Sequence, residues 1–286
     1  MTPADTPRPL NLDKADARDL LDVLRVIAER AGKVVLAHYA EGADIEVRQK
    51  EDASPVTAAD EACEAFILEA LASLTPDIPV ISEEAAEAGS LPDLGESRRF
   101  WLVDPLDGTK EFISRNGEFT VNIALIEGER PVAGVVHAPA LAMTWAGATF
   151  GAAEKSEGGL ALYAETDRPA VEIAARPAPA EGLTVVASRR HGAGGELDAF
   201  LAGFTVKEQV GAGSSLKFCL IANGKADLYP RFGRTMEWDT AAGQAVLEAA
   251  GGTVETREGT PLRYGKPGYE NPYFIAYADC RSGAAS

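Results

Sequence analysis

The sequence predicts a mixed α/β fold, an α+β layered sandwich, from three observations. Apolar residues recur at helical spacing in two segments near the N-terminus. Strand-like apolar segments separated by turn residues follow as far as about residue 150. Strand-like and helix-like segments then alternate to the end of the chain. Together they predict an antiparallel sheet in the first half and a mixed α/β second half.

Two amphipathic helices are predicted first. The first covers Asp16 to Tyr39 and ends near Gly42; its apolar positions are Leu20, Leu24, Ile27, Ala31 and Val34. The second lies in SPVTAADEACEAFILEAL, where Thr57 and Asp60 have the spacing of a capping box. Its predicted buried positions are Cys63, Phe66, Ile67, Ala70, Leu71 and Leu74. We expect the two helices to pack against each other.

The remaining first half predicts strands. A short strand, Pro79 to Ser82, leads into the acidic segment EEAAEAGS, and an apolar strand starts at Phe100. The segment FTVNIALIEGERPVAGVVHAPALAMTWAG predicts antiparallel strands, with turns at 127–130 and around Pro139. From about residue 153 to residue 182 the pattern weakens and becomes rich in Glu, Ala and Pro. This stretch predicts loops and a boundary between two halves.

The second half alternates strands with helices. Strands are predicted at LTVVAS, FTVKEQ, ADLYPRF, TVETR and YFIAYA. Helices are predicted at 194–202, at SSLKFCLIANG and at DTAAGQAVLEAAGG, and the last two end at glycine.

Composition excludes several classes of function. The 286 residues are 46% hydrophobic, enough for one large domain or two joined ones, with no apolar run long enough to span a membrane. The N-terminal MTPADTPRPLNLD lacks the apolar core of a secretory signal. A net charge of −17 argues against a broad nucleic-acid surface. The three cysteines, Cys63, Cys219 and Cys280, have no metal-ligand spacing and fit a reducing compartment.

Acidic residues stand at the ends of four predicted elements: Asp60, Glu83–Glu84, Asp104 with Asp107, and Asp239. Each has an ordinary interpretation when taken alone. Asp60 and Asp239 suit the first turn of a helix, Glu83–Glu84 suits a solvated turn, and DPLDG suits a turn.

Taken together, these acids resemble the oxygen-rich shell that Mg²⁺ prefers, with the Leu106 carbonyl as a further oxygen. Residues 108–112 predict a short helix whose free amides could bind an anion beside the metal. This combination favours metal-assisted phosphoryl chemistry, with the structural interpretation as the alternative. From the residues alone, a metal, a lysine or only water could relieve the repulsion between Asp104 and Asp107.

Two long motifs carry a resemblance to a known family. WLVDPLDGTKEF with EWDTAAG resembles the paired signatures of the lithium-sensitive, Mg²⁺-dependent phosphomonoesterases, which include inositol monophosphatase and fructose-1,6-bisphosphatase. The resemblance extends from about Ala15 to Ala276. DGTKEFISRNGEFTVNIALI and GSSLKFCLIANGKADLYPRFG are more similar still to the CysQ-type 3′(2′),5′-bisphosphate nucleotidases. It implies an inositol-monophosphatase-like α-β-α-β-α arrangement.

The resemblance also implies an activity and a role for each site residue. The activity is removal of the 3′-phosphate from adenosine 3′,5′-bisphosphate, a by-product of sulfate activation, to give AMP and phosphate. Asp60 and Thr109 would orient the attacking water, without a phosphoenzyme, and Glu84 would be a nearby acid. Two or three Mg²⁺ ions would be held by Glu83, Asp104, Asp107, Asp239 and the Leu106 carbonyl. The resemblance thus implies that a metal, rather than Lys110, relieves the repulsion between Asp104 and Asp107. Substrate contacts would come from Glu83, Leu106, Asp107, Gly108, Thr109, His191, Ser214, Lys217, Arg231 and Asp239.

Residues of the second half would determine which substrate binds. Without the resemblance, Ser214 and Lys217 would be a helix start with an exposed lysine, and His191 a surface loop histidine. By resemblance, Ser214, Lys217 and Arg231 hold the nucleotide and its 5′-phosphate, and His191 contacts the substrate. A second phosphate needs its own cations in so acidic a chain, whereas an inositol monophosphate does not.

The expected organisation has three parts. Residues 1–14 form a flexible lead-in, residues 15–153 a half that binds metal and phosphate, and residues 154–286 a half that binds the substrate. The expected partner is a small nucleotide bisphosphate, with no nucleic acid and no integral membrane segment; the oligomeric partner is left open. The expected location is the cytoplasm, although some relatives associate loosely with the inner face of the membrane.

Two alternatives accompany this prediction. One is an inositol monophosphatase or a sugar bisphosphatase of the same superfamily. The other is a catalytically silent protein that binds the nucleotide with a degenerate site. The second is disfavoured because the whole set is present: Asp60, Glu83, Asp104, Asp107, Thr109 and Asp239.

Overall fold

The computed structural model describes residues 11–40, 47–49, 55–94, 98–151, 158–188 and 195–278. Its first layer consists of two helices, α1 (Lys14–Tyr39) and α2 (Ala58–Leu74). Thr57 and Asp60 form the predicted capping box at the start of α2. The helices pack together, and Cys63 Sγ lies 3.9 Å from the Ala31 carbonyl oxygen. The predicted pairing is confirmed, but the buried stripe of α2 ends before Leu74, which is exposed.

Two short strands, β1 (Val47–Gln49) and β2 (Pro55–Thr57), pair antiparallel between these helices. A seven-stranded sheet then forms the second layer. Only its β3–β4 pair is parallel, so the predicted antiparallel sheet is confirmed. In spatial order its strands are β3 (Val80–Ser82), β4 (Arg99–Asp107), β5 (Thr120–Glu127), β6 (Arg130–Ala138), β7 (Met143–Phe150), β8 (Gly158–Glu165) and β9 (Val171–Glu172).

The prediction of loops over residues 153–182 was wrong for the two-residue strand β9 and for residues 158–165. The latter residues form β8, which pairs with β7 along its whole length and continues the first sheet. Leu160 and Leu162 enter the core beneath α1 and α2, whereas Ala161 enters the core on the other face. The strand is rich in Gly and Ala and has no β-branched residue, which leaves a weak sequence signal for it. The division of the chain between residues 153 and 154 stays a prediction.

The five strands predicted for the second half are present, and they form one sheet of mixed direction. Its spatial order is β11, β10, β12, β14, β13; β10 runs parallel to β11 and β12, and β14 runs antiparallel to β12 and β13. The strands are β10 (Leu183–Ala187), β11 (Val206–Gly211), β12 (Leu228–Arg231), β13 (Thr253–Thr256) and β14 (Phe274–Tyr277). The helices are α3 (Glu83–Glu87) and α4 (Thr109–Ile113) in the first half, then α5 (Gly195–Leu201), α6 (Leu216–Ala222) and α7 (Glu237–Ala249).

Two hydrophobic cores separate the layers. Trp101 and Val103 of β4 pack into the core formed with α1 and α2. Phe100 and Leu102, on the opposite face of β4, pack into the core that α6 and α7 share with both sheets. Burial on both faces explains why this strand is apolar throughout. No helix in the described ranges is long and apolar enough to cross a membrane.

Helix α7 lies unusually close to the large sheet. Gly134, Gly147 and Gly159 of β6, β7 and β8 face it, and none leaves room for a side chain. A Cβ at Gly147 would lie 2.6 Å from Val246 Cα, and one at Gly159 would lie 2.6 Å from Ala249 Cα. These glycines therefore determine how closely α7 approaches the large sheet.

Candidate active site

Asp104 and Asp107 lie together at the end of β4. The strand continues through Asp107, opposite Thr120 of β5, with a register shift between the two aspartates. The expected turn is therefore a bulge within the strand, which lets two acids in one short segment turn inward. The Leu106 amide donates to Asp104 Oδ1 at 3.0 Å, and the Leu106 carbonyl oxygen lies 3.3 Å from Thr109 Oγ1.

Asp60 serves as a helix cap and also faces the predicted site. Its Oδ2 accepts hydrogen bonds from the Thr57 amide at 2.8 Å and the Thr57 hydroxyl at 2.6 Å. Its Oδ1 lies 3.5 Å from Thr109 Oγ1, at the outer limit of a hydrogen bond. The two interpretations of Asp60 are compatible, because each role uses a different carboxylate oxygen.

Glu83 and Glu84 are the first two residues of α3, directly after β3. Ser82 is the N-cap of α3, and its hydroxyl donates to the Glu64 carboxylate. Glu64 also accepts from the Ala85 amide at 3.3 Å, so a residue of α2 fixes the start of α3. The predicted solvated turn is thus a short, anchored helix that carries both glutamates.

Asp239 lies in the first turn of α7. Its Oδ2 accepts from the Met236 amide at 2.8 Å. Burial, followed by the charge of Asp107, raises the pKa of the Asp239 carboxyl to about 7. Asp239 therefore caps its helix and also responds to the acid at the end of β4.

Asp104 shows that the predicted acids are close in space. It is 1% exposed, and burial is the largest cause that raises its pKa well above the ordinary value. The next causes are the charges of Glu83, Asp107, Asp239 and Asp60, in that order. All four predicted acidic groups therefore influence one carboxyl, although they come from distant parts of the chain.

Asp107 differs from Asp104 because a cation compensates for part of its burial. Burial raises the pKa of Asp107, whereas the Lys217 ammonium and hydrogen bonds from Asn122 and Ser215 lower it. The expectation that Lys110 does not relieve the repulsion agrees with this set of causes. Lys217, however, was not predicted to act on Asp107.

The donor chemistry of these acids fits a hard divalent cation. Buried carboxylates that raise one another's pKa would be stabilised by a positive ion between them, and Mg²⁺ prefers carboxylate and carbonyl oxygens. Within the described ranges, no three Asp, Glu, His or Cys side chains are already gathered closely enough to enclose a metal. The residues present therefore fit the ion by the chemistry of their donor atoms.

A cavity of about 150 Å³ lies next to these acids and is lined by both halves of the chain. It joins two predicted metal ligands to four predicted substrate contacts: Asp107, Asp239, Gly108, Ser214, Lys217 and Arg231. Its wall also includes Lys110, Glu111, Ser188, Tyr229, Thr235 and Thr240. His191 lies outside the described residues, and its predicted substrate contact stays a prediction.

Gly108 holds a position that requires glycine. Its φ of +92° is in the left-handed region, and a Cβ there would lie 2.2 Å from Ser214 Oγ. Ser214 Oγ lies 2.8 Å from the Asp107 carbonyl oxygen and 2.7 Å from the Glu118 carbonyl oxygen. This contact holds the loop before α6 against the start of α4, the predicted short helix.

Lys217 is buried in the cavity wall, so the alternative of an exposed lysine was wrong. Its ammonium donates to the Ser214 carbonyl at 2.6 Å and the Ala212 carbonyl at 3.3 Å, and it lies 5.3 Å from the Tyr229 ring centroid. Burial lowers its pKa to about 8, while Asp107 opposes that shift.

Arg231 lies at the end of β12 and also lines the cavity. Its Nη2 donates to the Arg234 carbonyl at 3.0 Å. Its Nε is buried and has no hydrogen-bond partner among the described residues. One polar group of this guanidinium is therefore left for a ligand or a water.

Sequence reasoning missed two buried polar residues beside the site, Asn122 and Ser215. Asn122 Nδ2 lies 3.3 Å from Asp107 Oδ2, and Thr120 Oγ1 lies 3.4 Å from the same oxygen. Asn122 is a polar residue within the apolar run TVNIALI, a signal that could have identified it. Ser215 follows Ser214, and the sequence alone does not separate their roles.

Comparison with known proteins adds independent information. The sequence profile of the inositol monophosphatase family matches residues 16–276. A 3′(2′),5′-bisphosphate nucleotidase CysQ from Salmonella typhimurium is 46% identical over 257 residues, which make up 89% of this chain and 98% of that protein. The protein of the same description from Haemophilus influenzae is 32% identical over 266 residues, 91% of this chain and 93% of that one.

Solved structures show the same fold. CysQ from Bacteroides thetaiotaomicron, a bacterial member of the inositol monophosphatase family, has a TM-score of 0.72 and 36% identity; the alignment covers 91% of this chain and 97% of that one. The extragenic suppressor protein SuhB from Bartonella henselae has a TM-score of 0.70 and 25% identity, with coverage of 91% and 94%.

Proposed function

Because the chain belongs to the inositol monophosphatase family, we propose that it is a Mg²⁺-dependent 3′(2′),5′-bisphosphate nucleotidase. It hydrolyses the 3′-phosphate of adenosine 3′,5′-bisphosphate to give AMP and phosphate. One observation carries this proposal: a single cavity is lined by Asp107 and Asp239 and also by Lys217 and Arg231. Such a cavity offers metal-binding acids for one phosphate and two cations for another.

The acidic residues would hold the metal. These are Glu83, Asp104, Asp107 and Asp239, with the Leu106 carbonyl, and Glu84 lies beside Glu83 at the start of α3. When bound, Mg²⁺ supplies Lewis-acid activation of water and neutralises charge on the phosphate. The number of ions and the cytoplasmic location stay predictions.

Asp60 and Thr109 would orient the attacking water. The Thr57 amide and hydroxyl hold Asp60 Oδ2, which fixes the carboxylate and directs Oδ1 toward Thr109. A water that contacts both Asp60 Oδ1 and the Thr109 hydroxyl could give a proton to the carboxylate, and its oxygen could accept a hydrogen bond from the hydroxyl. The water oxygen bonds to phosphorus and the water proton passes to Asp60 as the bond between phosphorus and the 3′-oxygen breaks. The leaving 3′-oxygen takes a proton from solvent water to become the hydroxyl of AMP, and Asp60 then returns its proton to the solvent.

Lys217 and Arg231 would bind the second phosphate. The Lys217 ammonium has three donors, of which the Ser214 and Ala212 carbonyls take two. Its third donor and the Arg231 guanidinium serve an anion in the cavity. Charge-assisted contacts of this kind would favour a bisphosphate over an inositol monophosphate.

The test compares Lys217→Ala with the exposed control Lys225→Ala on the same segment. We expect Lys217→Ala to lower kcat/KM for adenosine 3′,5′-bisphosphate by about 10- to 100-fold, because a charge-assisted contact to phosphate is lost. Hydrolysis of inositol 1-phosphate and fructose 1,6-bisphosphate is measured in parallel, with Mg²⁺ and with excess EDTA. Equal losses on all three esters, or faster wild-type turnover of inositol 1-phosphate, would contradict the assignment.

A further inference from the structure

A buried pair of side chains, Asn122 and Ser215, joins the segments that carry Asp107 and Asp239. Asn122 Nδ2 donates to Ser215 Oγ at 2.9 Å and lies 3.3 Å from Asp107 Oδ2. Ser215 Oγ donates to the Asp239 backbone carbonyl at 2.8 Å. A continuous path of hydrogen bonds therefore runs from the Asp107 carboxylate on β4 to the first turn of α7.

This path is buried from solvent. Asn122 and Ser215 are each 1% exposed. Asn122 Oδ1 is buried without a hydrogen-bond partner among the described residues. An apolar side chain of similar size would fill the same space but would leave Asp107 Oδ2 and Ser215 Oγ without this donor. Packing alone therefore does not account for an asparagine at this position.

We propose that Asn122 and Ser215 are a positioning pair that sets the distance between Asp107 and Asp239 and thereby the affinity of the site for a divalent cation. This proposal rests on the proposed function, because it takes these two acids as metal ligands. The two acids lie on a strand and a helix that are far apart in sequence, so their separation depends on contacts between these elements. Hydrogen bonds that orient metal-binding carboxylates typically change metal affinity by about 10- to 100-fold.

The test measures binding of Mn²⁺, as a probe for Mg²⁺, by the loss of its free electron paramagnetic resonance signal. We expect Asn122→Ala and Ser215→Ala each to weaken Mn²⁺ binding by about 10-fold or more. The double variant should lose less Mn²⁺ affinity than the two single losses combined, because Asn122 and Ser215 bond to each other and both act on Asp107. At saturating Mg²⁺, KM for adenosine 3′,5′-bisphosphate should stay within about threefold of the wild-type value, because neither residue lines the substrate cavity.

Gln244→Leu is the matched control. Gln244 is a buried residue of α7 that bonds to Glu248, the Leu262 carbonyl and the Tyr264 hydroxyl, away from both acids. It should lower the melting temperature without changing Mn²⁺ affinity. Ser215→Thr, which keeps the hydroxyl, should restore affinity to within about threefold of wild type.

Two outcomes would overturn the proposal. One is Mn²⁺ affinity within about twofold of wild type in the alanine variants, with only their melting temperatures lowered as in Gln244→Leu. The other is fully additive losses in the double variant. If one alanine variant does not fold, the Mn²⁺ affinity of the other decides the first outcome. Mn²⁺ binding is measured without nucleotide. An unchanged Mn²⁺ affinity in the variants would therefore overturn this proposal alone, whereas the proposed function fails if the wild-type protein does not hydrolyse adenosine 3′,5′-bisphosphate.

Discussion

Burial gives several charged side chains of this protein functions that they would not have on a surface. Lys217 would be a solvated lysine on an exposed helix, but here it bonds to two backbone carbonyls and acts on Asp107. Asp104 is almost fully buried among other acids. A buried carboxylate without a cation is costly, so removing one such charge should not weaken the metal-free fold.

Asp107→Asn tests this reasoning directly. We expect loss of more than about 100-fold in Mg²⁺-dependent turnover, because a charged ligand is replaced by a neutral amide of the same shape. The melting temperature of the metal-free protein should stay unchanged or rise, because the folded state raises the pKa of Asp107 through burial even though the charge of Lys217 opposes that shift. Exposed Asp77→Asn, measured in the same way, should leave turnover unchanged. Near-normal turnover by Asp107→Asn would disprove the assignment of this residue as a metal ligand.

The acids could be predicted from the sequence, but the polar residues that hold them could not. Asp60, Asp104 and Asp239 stand at element ends in long motifs, and a motif preserves the spacing of its own residues. Asn122 and Ser215 act across elements, and their contacts depend on the tertiary packing of β5 against α6. The burial of Lys217 has the same origin, since its helix presents most of its residues to the core.

Helices and strands followed their sequence patterns where one face was clearly apolar. The capping box of α2 and the strands of the large sheet were predictable for this reason. Strand β8 was missed because it is rich in Gly and Ala, has no β-branched residue and faces a core on each side. The close approach of α7 to the sheet was also not predictable, because a glycine in a strand does not reveal which element covers it.

Gly147→Ala tests how far the position of α7 depends on that approach. The added Cβ would meet backbone atoms of α7, which cannot move independently, so the helix must shift. Overpacking of this kind costs about 1–3 kcal/mol and should lower the melting temperature by about 3–10 °C. Turnover should fall as well, because α7 carries Asp239.

Gly195→Ala is the control for that variant, since no atom of the described residues lies within 4 Å of a Cβ at Gly195. It should leave both the melting temperature and turnover close to wild type. A Gly147→Ala protein that melts and turns over like Gly195→Ala would show that α7 is not held at this distance by the glycines.

Across the whole molecule, burial shifts the pKa values of the site carboxyls and of His137 in opposite directions, so these groups make the stability depend on pH in opposite ways. The site carboxyls Asp104 and Asp239 have raised pKa values, so the folded state binds their protons more tightly than the unfolded state does. Their contribution to stability therefore falls as pH rises from about 4 toward the folded-state pKa, which is about 7 for Asp239. His137, buried between α1 and the sheet, has its pKa lowered by burial to about 4. Its contribution has the opposite sign and is lost as pH falls from about 6.5 to about 4.

Because two site carboxyls are opposed by one histidine, the metal-free protein should lose stability as pH rises above about 5, and more steeply from about 6.5, where His137 no longer opposes the decline. In EDTA, the melting temperature should fall most steeply from about pH 6.5 to about pH 8, as the site carboxyls lose their protons. With Mg²⁺ present, binding to the ionised carboxylates should raise the melting temperature most at the alkaline end and remove that decline. Thermal unfolding from pH 5 to 8.5 in EDTA, in Mg²⁺ and in KCl of equal ionic strength measures both effects and controls for screening. A metal-free melting temperature that rises steadily to pH 8.5, or an equal shift in KCl, would contradict a metal-binding role for these carboxyls, since the chain would then tolerate their repulsion without an ion.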